Sequence, residues 1–510
     1  MPTHLRVADE LYPLENFIVT QYSSRTLNRA HQSEALAHLR SHPSVFALLM
    51  GTGTGKTKVI LDEWGERVMS GDLQNLLVIA PAGAYANWWL DRSPEEPSEA
   101  TKHLDSKLRA HMLMHYWDSS GGVKWQRGLE ALMAPTDRPR MFVMNVEALS
   151  SVDRARAACE QFIASGRTLL CLDESTRVKN RNTIRTRQVL KLGRKAYARR
   201  IATGLVTPKS PLDLYSQFEF LDPHIIGCRT FAEFRSIYAI TKQEWFPGAR
   251  WPTQIVIGFQ NLDLLWEKIA PYCYRVSKEE CLDLPPKVYT TRDIPLTEKQ
   301  QKAYRELKQF ATTQLENEAH VTAKSVITQI LRLHQLLCGH LIDEHGNIHD
   351  VTEHRTAALL DVLSQHDGKA VIWCSYDHTI RKLRKAIADE YEDPNIVACF
   401  WGGNRPDRLD EETRFKTDPR CRFMLATPGA GGVGNNWQVA DLVVYHSNTY
   451  DLELRAQSED RSHRHGQTKS VTYVDLVARN TVDEKILRVL RKKIDLSNAI
   501  TGANWREWVI

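Results

Sequence analysis

At 510 residues the chain exceeds what one hydrophobic core ordinarily supports, and its 42% hydrophobic and 25% charged residues are an ordinary globular composition, so two or more packed domains are expected. A formal charge of +5, from 67 basic and 62 acidic residues, is too small to argue by itself for a polyanionic partner. Nine cysteines without a CxxC pair exclude the usual close-spaced zinc sites and point to free thiols in a reducing compartment. Met1 to Thr20 lacks a basic start followed by an apolar core, and no apolar run approaches the roughly 18 residues that cross a bilayer, so a cytoplasmic protein without a membrane partner is expected.

Along the chain, short apolar runs alternate with longer amphipathic stretches, the pattern of a parallel sheet covered by helices. The pattern occurs twice. Candidate strands in the first half are Phe46–Met50, Leu76–Ala80, Met141–Met144, Leu169–Leu172 and Arg200–Ala202. Those in the second are Ala370–Trp373, Ile396–Phe400, Phe423–Ala426, Leu442–Tyr445 and Val471–Leu476. Helical insertions are predicted at about 211–270 and 298–337, and the stiff Leu284–Pro285–Pro286–Lys287 stretch marks the boundary. The fold class is therefore α/β, with one lobe at 1–283, a second at 284–493 and a short tail at 494–510.

The most specific chemical signal is Gly51–Thr52–Gly53–Thr54–Gly55–Lys56–Thr57, which follows an apolar strand and opens the helix-like Lys58–Met69. This is the setting of a P-loop. Glycines Gly53 and Gly55, with Thr54 between them, let successive backbone N–H groups curl round phosphates, Lys56 neutralises the β/γ-phosphates, and Thr57 offers a hydroxyl to Mg²⁺. A second site fits the first: the apolar Thr168–Leu172 ends in Asp173 and Glu174, at the strand end where ligands sit in open α/β sheets. Asp173 is expected to hold Mg²⁺ through water, and Glu174 to orient or deprotonate the attacking water.

The third element lies some 400 residues further on, in Gln457–Ser458–Glu459–Asp460–Arg461–Ser462–His463–Arg464–His465–Gly466–Gln467. Arg461 and Arg464, three apart, share one helical face and are read as arginine fingers, a device worth on the order of 10³–10⁵ in rate. From Arg177 to Arg200 ten basic side chains occur with no acidic one, a bias read as a phosphate-tracking surface. Trp88, Trp89 and Trp437 are read mainly as core, with base stacking as the alternative.

In this order the segments resemble the Swi/Snf-type DNA translocases of helicase superfamily II, and the likeness covers nearly the whole sequence. Gln32 resembles the family's adenine-reading glutamine. Pro81, Asn87 and Trp88 resemble its P…NW segment, and Asp173–Glu174 with Arg177, Lys179 and Asn180 its DEAHRLKN segment. Thr203–Gly204 with Leu221–Asp222–Pro223 is similar to the third motif. In the second half, Leu284–Lys287, Gly432–Val433–Gly434–Asn435–Asn436, Gln457–Gln467 and Thr481–Leu487 are similar to its LPPK, GxGxN, QAxxRxxRxGQ and TxEEKIL segments.

The resemblance implies two tandem RecA-like lobes, ATP and Mg²⁺ as cofactors, Gly432 and Gln457 among the nucleotide contacts, and Asn87, Trp88, Arg177, Lys179, Asn180, Ser375 and Asn436 among those to nucleic acid. It further implies a monomeric motor that translocates along double-stranded DNA through sequence-independent phosphate contacts, of the compact kind found in bacteria and phages. A strand-separating helicase, an RNA-dependent ATPase and a nonhydrolysing binding module are the alternatives. Two departures fall where relatives couple the ATP site to nucleic acid: Ser175–Thr176 in place of Ala–His, and Leu205–Val206 in place of Thr–Pro.

Overall fold

A computed structural model of the chain describes residues 21–491 other than 93, 95, 205–209, 246–251, 282–283, 318–322, 344, 432–435, 450, 465 and 489. Leu205–Val206, Gly432 to Asn435 and the tail at 494–510 lie outside the described residues. Strands β1 (Val45–Met50), β2 (Asn75–Ala80), β3 (Leu113–Tyr116), β4 (Arg140–Asn145), β5 (Thr168–Asp173) and β6 (Ala198–Ala202) are followed by an antiparallel hairpin, β7 (Ala239–Glu244) and β8 (Thr253–Phe259), and by β9 (Cys273–Val276). Seven of these form one sheet in the order β3-β4-β2-β5-β6-β1-β9, parallel throughout.

The second sheet begins with β10 (Lys287–Asp293). After a small hairpin of β11 (His340–Ile342) and β12 (Ile348–Asp350) come β13 (Lys369–Trp373), β14 (Val397–Phe400), β15 (Phe423–Ala426), β16 (Ala440–Tyr445) and β17 (Val471–Val477). Its order is β10-β17-β16-β13-β15-β14, again parallel. These are tandem α/β lobes, each built on one parallel sheet.

The central strands read as unbroken apolar runs because both faces are covered by helices. Successive side chains point to opposite faces. Leu77 and Ile79 of β2 therefore join one core of the first lobe, while Leu76 and Val78 join the other. In the second lobe Ala370 and Ile372 of β13 face one core, and Val371 and Trp373 face the other.

Three strands of the two large sheets escaped sequence reading for one reason. β3 and β9 are four-residue edge strands, and β10, also at an edge, is mostly exposed, so none carries an apolar run. The insertion predicted as helical at about 211–270 does hold helices at Leu214–Leu221, Phe231–Tyr238 and Leu262–Ile269, but the β7–β8 hairpin interrupts them. Its Ile255, Val256 and Ile257 are β-branched, a composition that favours strands. The second insertion folds as the helices Glu298–Asn317 and Ala323–Leu337.

A buried ion pair ties β6 to the helix Lys56–Met69: Arg200, fully buried, donates from Nε to Glu63 Oε2 at 3.0 Å and from a terminal nitrogen to Oε1. Breaking such a pair from one side leaves a desolvated charge and typically costs about 3–5 kcal/mol, whereas replacing both partners by apolar groups is often neutral. Arg200→Met alone is therefore expected to destabilise the first lobe by about that amount in chemical denaturation, and Arg200→Met with Glu63→Met to recover most of it.

Candidate nucleotide-binding cleft between the lobes

The loop after β1 is shaped by its glycines. Gly53 and Gly55 take φ of +83° and +94°, in the left-handed region that a Cβ disfavours. At Gly55 the constraint is doubled, because an added Cβ would lie 2.1 Å from Gln32 Nε2. The helix Lys56–Met69 starts directly after this turn, so its unpaired N–H groups and positive end border the loop. Lys56 Nζ donates to Met50 O at 2.9 Å and to Gly51 O at 3.3 Å.

Gln32 closes the other side, donating from Nε2 to Thr54 O at 2.9 Å and accepting from Arg29 N at 3.0 Å. His31 Nε2 also meets Thr54 O, at 2.8 Å. Thr54, expected to contact the nucleotide through the loop's backbone, has a wholly buried side chain whose hydroxyl donates to Gly51 O at 2.7 Å and holds the loop closed.

A cavity of about 810 Å³ runs from this loop to the second lobe. Gln32, Gly53, Gly55, Lys56, Thr57, Asp173 and Glu174 line it from the first lobe, and Gln457, Arg461 and Arg464 from the second. Arg464 comes close to the glycine loop, since a Cβ built on Gly53 would lie 3.9 Å from its Nε. The helix Leu452–Glu459 carries Gln457, and the turn after it carries both arginines, with Arg461 Nε donating to Gln457 O at 2.9 Å.

Burial sets the electrostatics. It pushes the Glu174 carboxyl up to about 7 against the pull of Lys56, and it raises Asp173 as well, against Lys56 and the Trp88 hydrogen bond. Desolvation, aided by the neighbouring Arg464, lowers Arg461 to about 10, and it also lowers Arg464. Glu174 takes a left-handed φ of 48°, and Thr203 Oγ1 reaches its Oε2 at 3.4 Å. A non-glycine residue held in that conformation is characteristic of sites where function overrides local preference.

The residues expected at nucleic acid have the following surroundings. Trp88 is buried at the edge of the cavity, and its Nε1 donates to Asp173 Oδ2 at 3.0 Å, so it orients the carboxylate. Trp89 stacks on Tyr116 at 3.7 Å between ring centroids, and Trp437 is buried with Nε1 on Glu412. Asn87 and Asn436 line the nucleotide cavity. Lys179 Nζ lies 3.2 Å and Arg177 Nε 3.9 Å from carboxylate oxygens of Glu453, in the second lobe. Asn180 is exposed and accepts from Asn182 N, while Ser375, half-buried after β13, meets the carbonyls of Ser447 and Asn448 at 3.4 Å each.

The basic stretch 177–200 is likewise answered by carboxylates from elsewhere in the chain. Lys191 and Lys195 pair with Glu160 at 2.8 and 2.7 Å, Arg194 with Glu219 at 3.6 Å, and Arg200 with Glu63. Six of the ten basic side chains thus have a carboxylate partner, and the acids come from neighbouring elements that sequence proximity does not reveal.

The residues that replace Ala–His are both engaged. Ser175 Oγ donates to Gln217 Oε1 at 2.6 Å, and Thr176 Oγ1 donates across the lobes to Glu453 Oε1 at 2.9 Å. Gln457 Nε2 reaches the same Glu453 oxygen at 3.4 Å. Sequence reasoning missed Glu453 and Lys278, which bridge the lobes beside the cavity, and also Arg92, Glu99, Lys102 and Lys416, which line it.

Gly55→Ala tests whether the loop's shape is obligatory. The left-handed backbone alone costs about 1–2 kcal/mol per non-glycine residue, and Gln32 must also move, so nucleotide binding measured by equilibrium titration is expected to be lost. Gln32→Ala in the same chain is expected to restore it only partly, because the backbone strain remains.

Comparison with known proteins places this geometry in a family. The SNF2-related domain profile matches residues 27–341. The TATA-binding protein-associated factor mot1 of Aspergillus fumigatus is 27% identical over 378 residues, 65% of this chain and 20% of that protein. An ATP-dependent helicase of Mycoplasma genitalium is 24% identical over 330 residues, 64% of this chain and 30% of that protein. The chain thus spans between 20% and 30% of the length of these curated relatives. Among solved structures, the Sulfolobus solfataricus SWI2/SNF2 ATPase core in complex with dsDNA is similar at 20% identity and a TM-score of 0.41, covering 96% of this chain and 97% of that one. None of the described helices is long and apolar enough to cross a membrane. On a profile match spanning well over half of its residues, the chain belongs to the SNF2-related family of helicase-like ATPases.

Proposed function

We propose that this chain uses Mg²⁺-dependent ATP hydrolysis to translocate along double-stranded DNA. The observation that carries the reading is the shared cavity: Lys56, Thr57, Asp173 and Glu174 line it from one lobe, and Arg461 and Arg464 from the other. The left-handed glycine turn at the start of a helix suits a polyphosphate, and the hydroxyl of Thr57 with the carboxylate of Asp173 is the hard-oxygen donor set that Mg²⁺ prefers. Bound there, the cation would neutralise phosphate charge and favour in-line attack.

In this mechanism Lys56 takes the β- and γ-phosphate charge. Glu174 orients the attacking water and accepts its proton as the water oxygen bonds to the γ-phosphorus and the bond to the β–γ bridging oxygen breaks. Arg461 and Arg464 meet the charge on the transferring group. Because the arginines belong to the second lobe, nucleotide draws the lobes together, and loss of the γ-phosphate weakens that attraction. Thr176 and Lys179 on one side, with Glu453 on the other, provide a second contact through which DNA held across both lobes would feel the same movement. Membership of the SNF2-related family supports duplex DNA as the track, and the sequence offers no base-reading element, so binding through phosphates is the reading adopted.

The test is phosphate release with and without duplex DNA, in wild type, Lys56→Ala and Arg464→Ala. Wild type is expected to be stimulated by duplex DNA more than by RNA. Lys56→Ala is expected to be inactive, and Arg464→Ala to fall by about 10³-fold or more in kcat. Equal, DNA-independent turnover in all three would remove the motor reading. Displacement of a third strand from a triplex, without separation of the duplex itself, distinguishes a translocase from a strand-separating helicase, and side-by-side assays on duplex, fork and four-way-junction DNA identify the preferred substrate.

A further inference from the structure

Lys278 lies outside every motif described above, yet its side chain joins the two halves of the cleft. The segment that bears it continues from β9, which pairs with β1 through Met50 and Val276, and Gly51 N donates to Val276 O at 2.9 Å. That pairing lays Lys278 along the glycine loop. A Cβ on Gly51 would lie 3.0 Å from Lys278 N and 3.2 Å from its Cγ, and one on Gly53 would lie 3.9 Å from its Cε. The far end of the same side chain enters the second lobe, where Nζ donates to Asp460 Oδ1 and, at 2.8 Å, to His463 O. Asp460 directly precedes Arg461, and His463 directly precedes Arg464.

Anchoring a flexible chain matters here because both arginines sit on a turn beyond the helix end. Asp460 N closes on Ala456 O, and His463 N on Glu459 O, so the turn is tied to its own helix. Among the described residues, Lys278 links Asp460 and His463 to the glycine loop through the hydrogen bonds from its Nζ. A cation suits this place, because a helix carboxyl end carries partial negative charge.

Simple neutralisation of Asp460 is an insufficient explanation. Lys287 Nζ already lies 3.7 Å from Asp460 and 3.3 Å from Glu459, so a second cation serves those carboxylates. A buried ion pair is also weak as a source of stability, since desolvating both charges offsets most of their attraction. Lys278 is 5% exposed, and burial lowers its pKa despite the nearby carboxylate.

We infer that Lys278 is a positioning residue for ATP hydrolysis: packed on the glycine loop and bonded to Asp460 and His463 O, it sets Arg461 and Arg464 against the phosphate site. The inference rests on the proposed ATPase reading and deepens it. Lys278 touches no reacting atom and acts through the two arginines, so its loss should leave nucleotide binding by the first lobe intact and misplace the groups needed in the transition state. Displacement of about 1 Å in such groups can cost about 100-fold.

The experiment measures kcat and KM for ATP at saturating duplex DNA in wild type, Lys278→Met, Lys278→Arg and Asp460→Asn, alongside thermal unfolding of each. Lys278→Met, which keeps the length and removes the charge, is expected to lower kcat by about 10- to 100-fold with KM changed by less than about threefold, the signature of an interaction lost in the transition state. Lys278→Arg, which retains a cation able to reach Asp460, is expected to recover most of kcat. Asp460→Asn is expected to lower kcat in the same direction, and combined with Lys278→Met to add little further, because both remove one contact. If Lys278→Met does not fold, Asp460→Asn against Lys278→Arg carries the same comparison.

A Lys278→Met enzyme with wild-type kcat would overturn the inference. So would equal losses in Lys278→Met and Lys278→Arg accompanied by a matching drop in unfolding temperature, which would make Lys278 purely structural. A wild type that releases no phosphate under any condition is a different result, and it sinks the ATPase reading together with the inference built on it.

Discussion

Three cations and two carboxylates from opposite ends of the chain share one partly desolvated cleft, and the arrangement of both lobes follows from that constraint. Burial depresses the basicity of Arg461 and Arg464, Arg464 lowering Arg461 further, while Asp173 and Glu174 are raised by burial. Such groups are stable neighbours only where opposite charge is interleaved, and an added polyanion would satisfy the cationic side. The coupling energy rises as water is excluded, so a small change in lobe separation has a large electrostatic consequence. In the proposed mechanism such a cleft would convert the chemical state of a phosphate into mechanical preference.

The contacts that hold the lobes in register are carboxylate-centred. Glu453 gathers Thr176, Lys179 and Gln457, and Asp460 gathers Lys278 and Lys287. Both acids lie on or just after the helix Leu452–Glu459, the short element that presents Gln457 and leads into the turn bearing the arginines. Contacts from that helix and the turn after it reach Lys278 beside the phosphate loop and, through Glu453, the segment after Asp173–Glu174. Thr176, where relatives carry histidine, keeps a hydrogen bond across the gap, and its hydroxyl is short enough that the lobes must approach closely to make it.

Much of this protein was legible before its coordinates. Apolar runs between turn residues identify the central strands because a parallel sheet covered on both faces leaves no polar positions to interrupt them. The glycine loop and the Asp173–Glu174 pair are local constellations whose chemistry depends on backbone conformation and adjacency, both of which are written in consecutive residues. Short edge strands such as β3 and β9 carried no comparable signal, and the β7–β8 hairpin lay inside a stretch whose flanks are helical.

What only the tertiary structure decided is the matching of charges. The sequence by itself determined that Arg177 to Arg200 is one-sided, but Glu160, Glu219, Glu63 and Glu453 reach that stretch from separate elements and pair with much of it. Trp88 behaves likewise: its place in the motif is readable, yet its indole N–H on Asp173 appears only once β2 and β5 lie side by side. Lys278 and Glu453 had no signature at all. Secondary structure follows from interactions within a few residues, whereas long-range electrostatics depends on distances of a few ångströms between residues hundreds apart, and those distances exist only after the chain has folded.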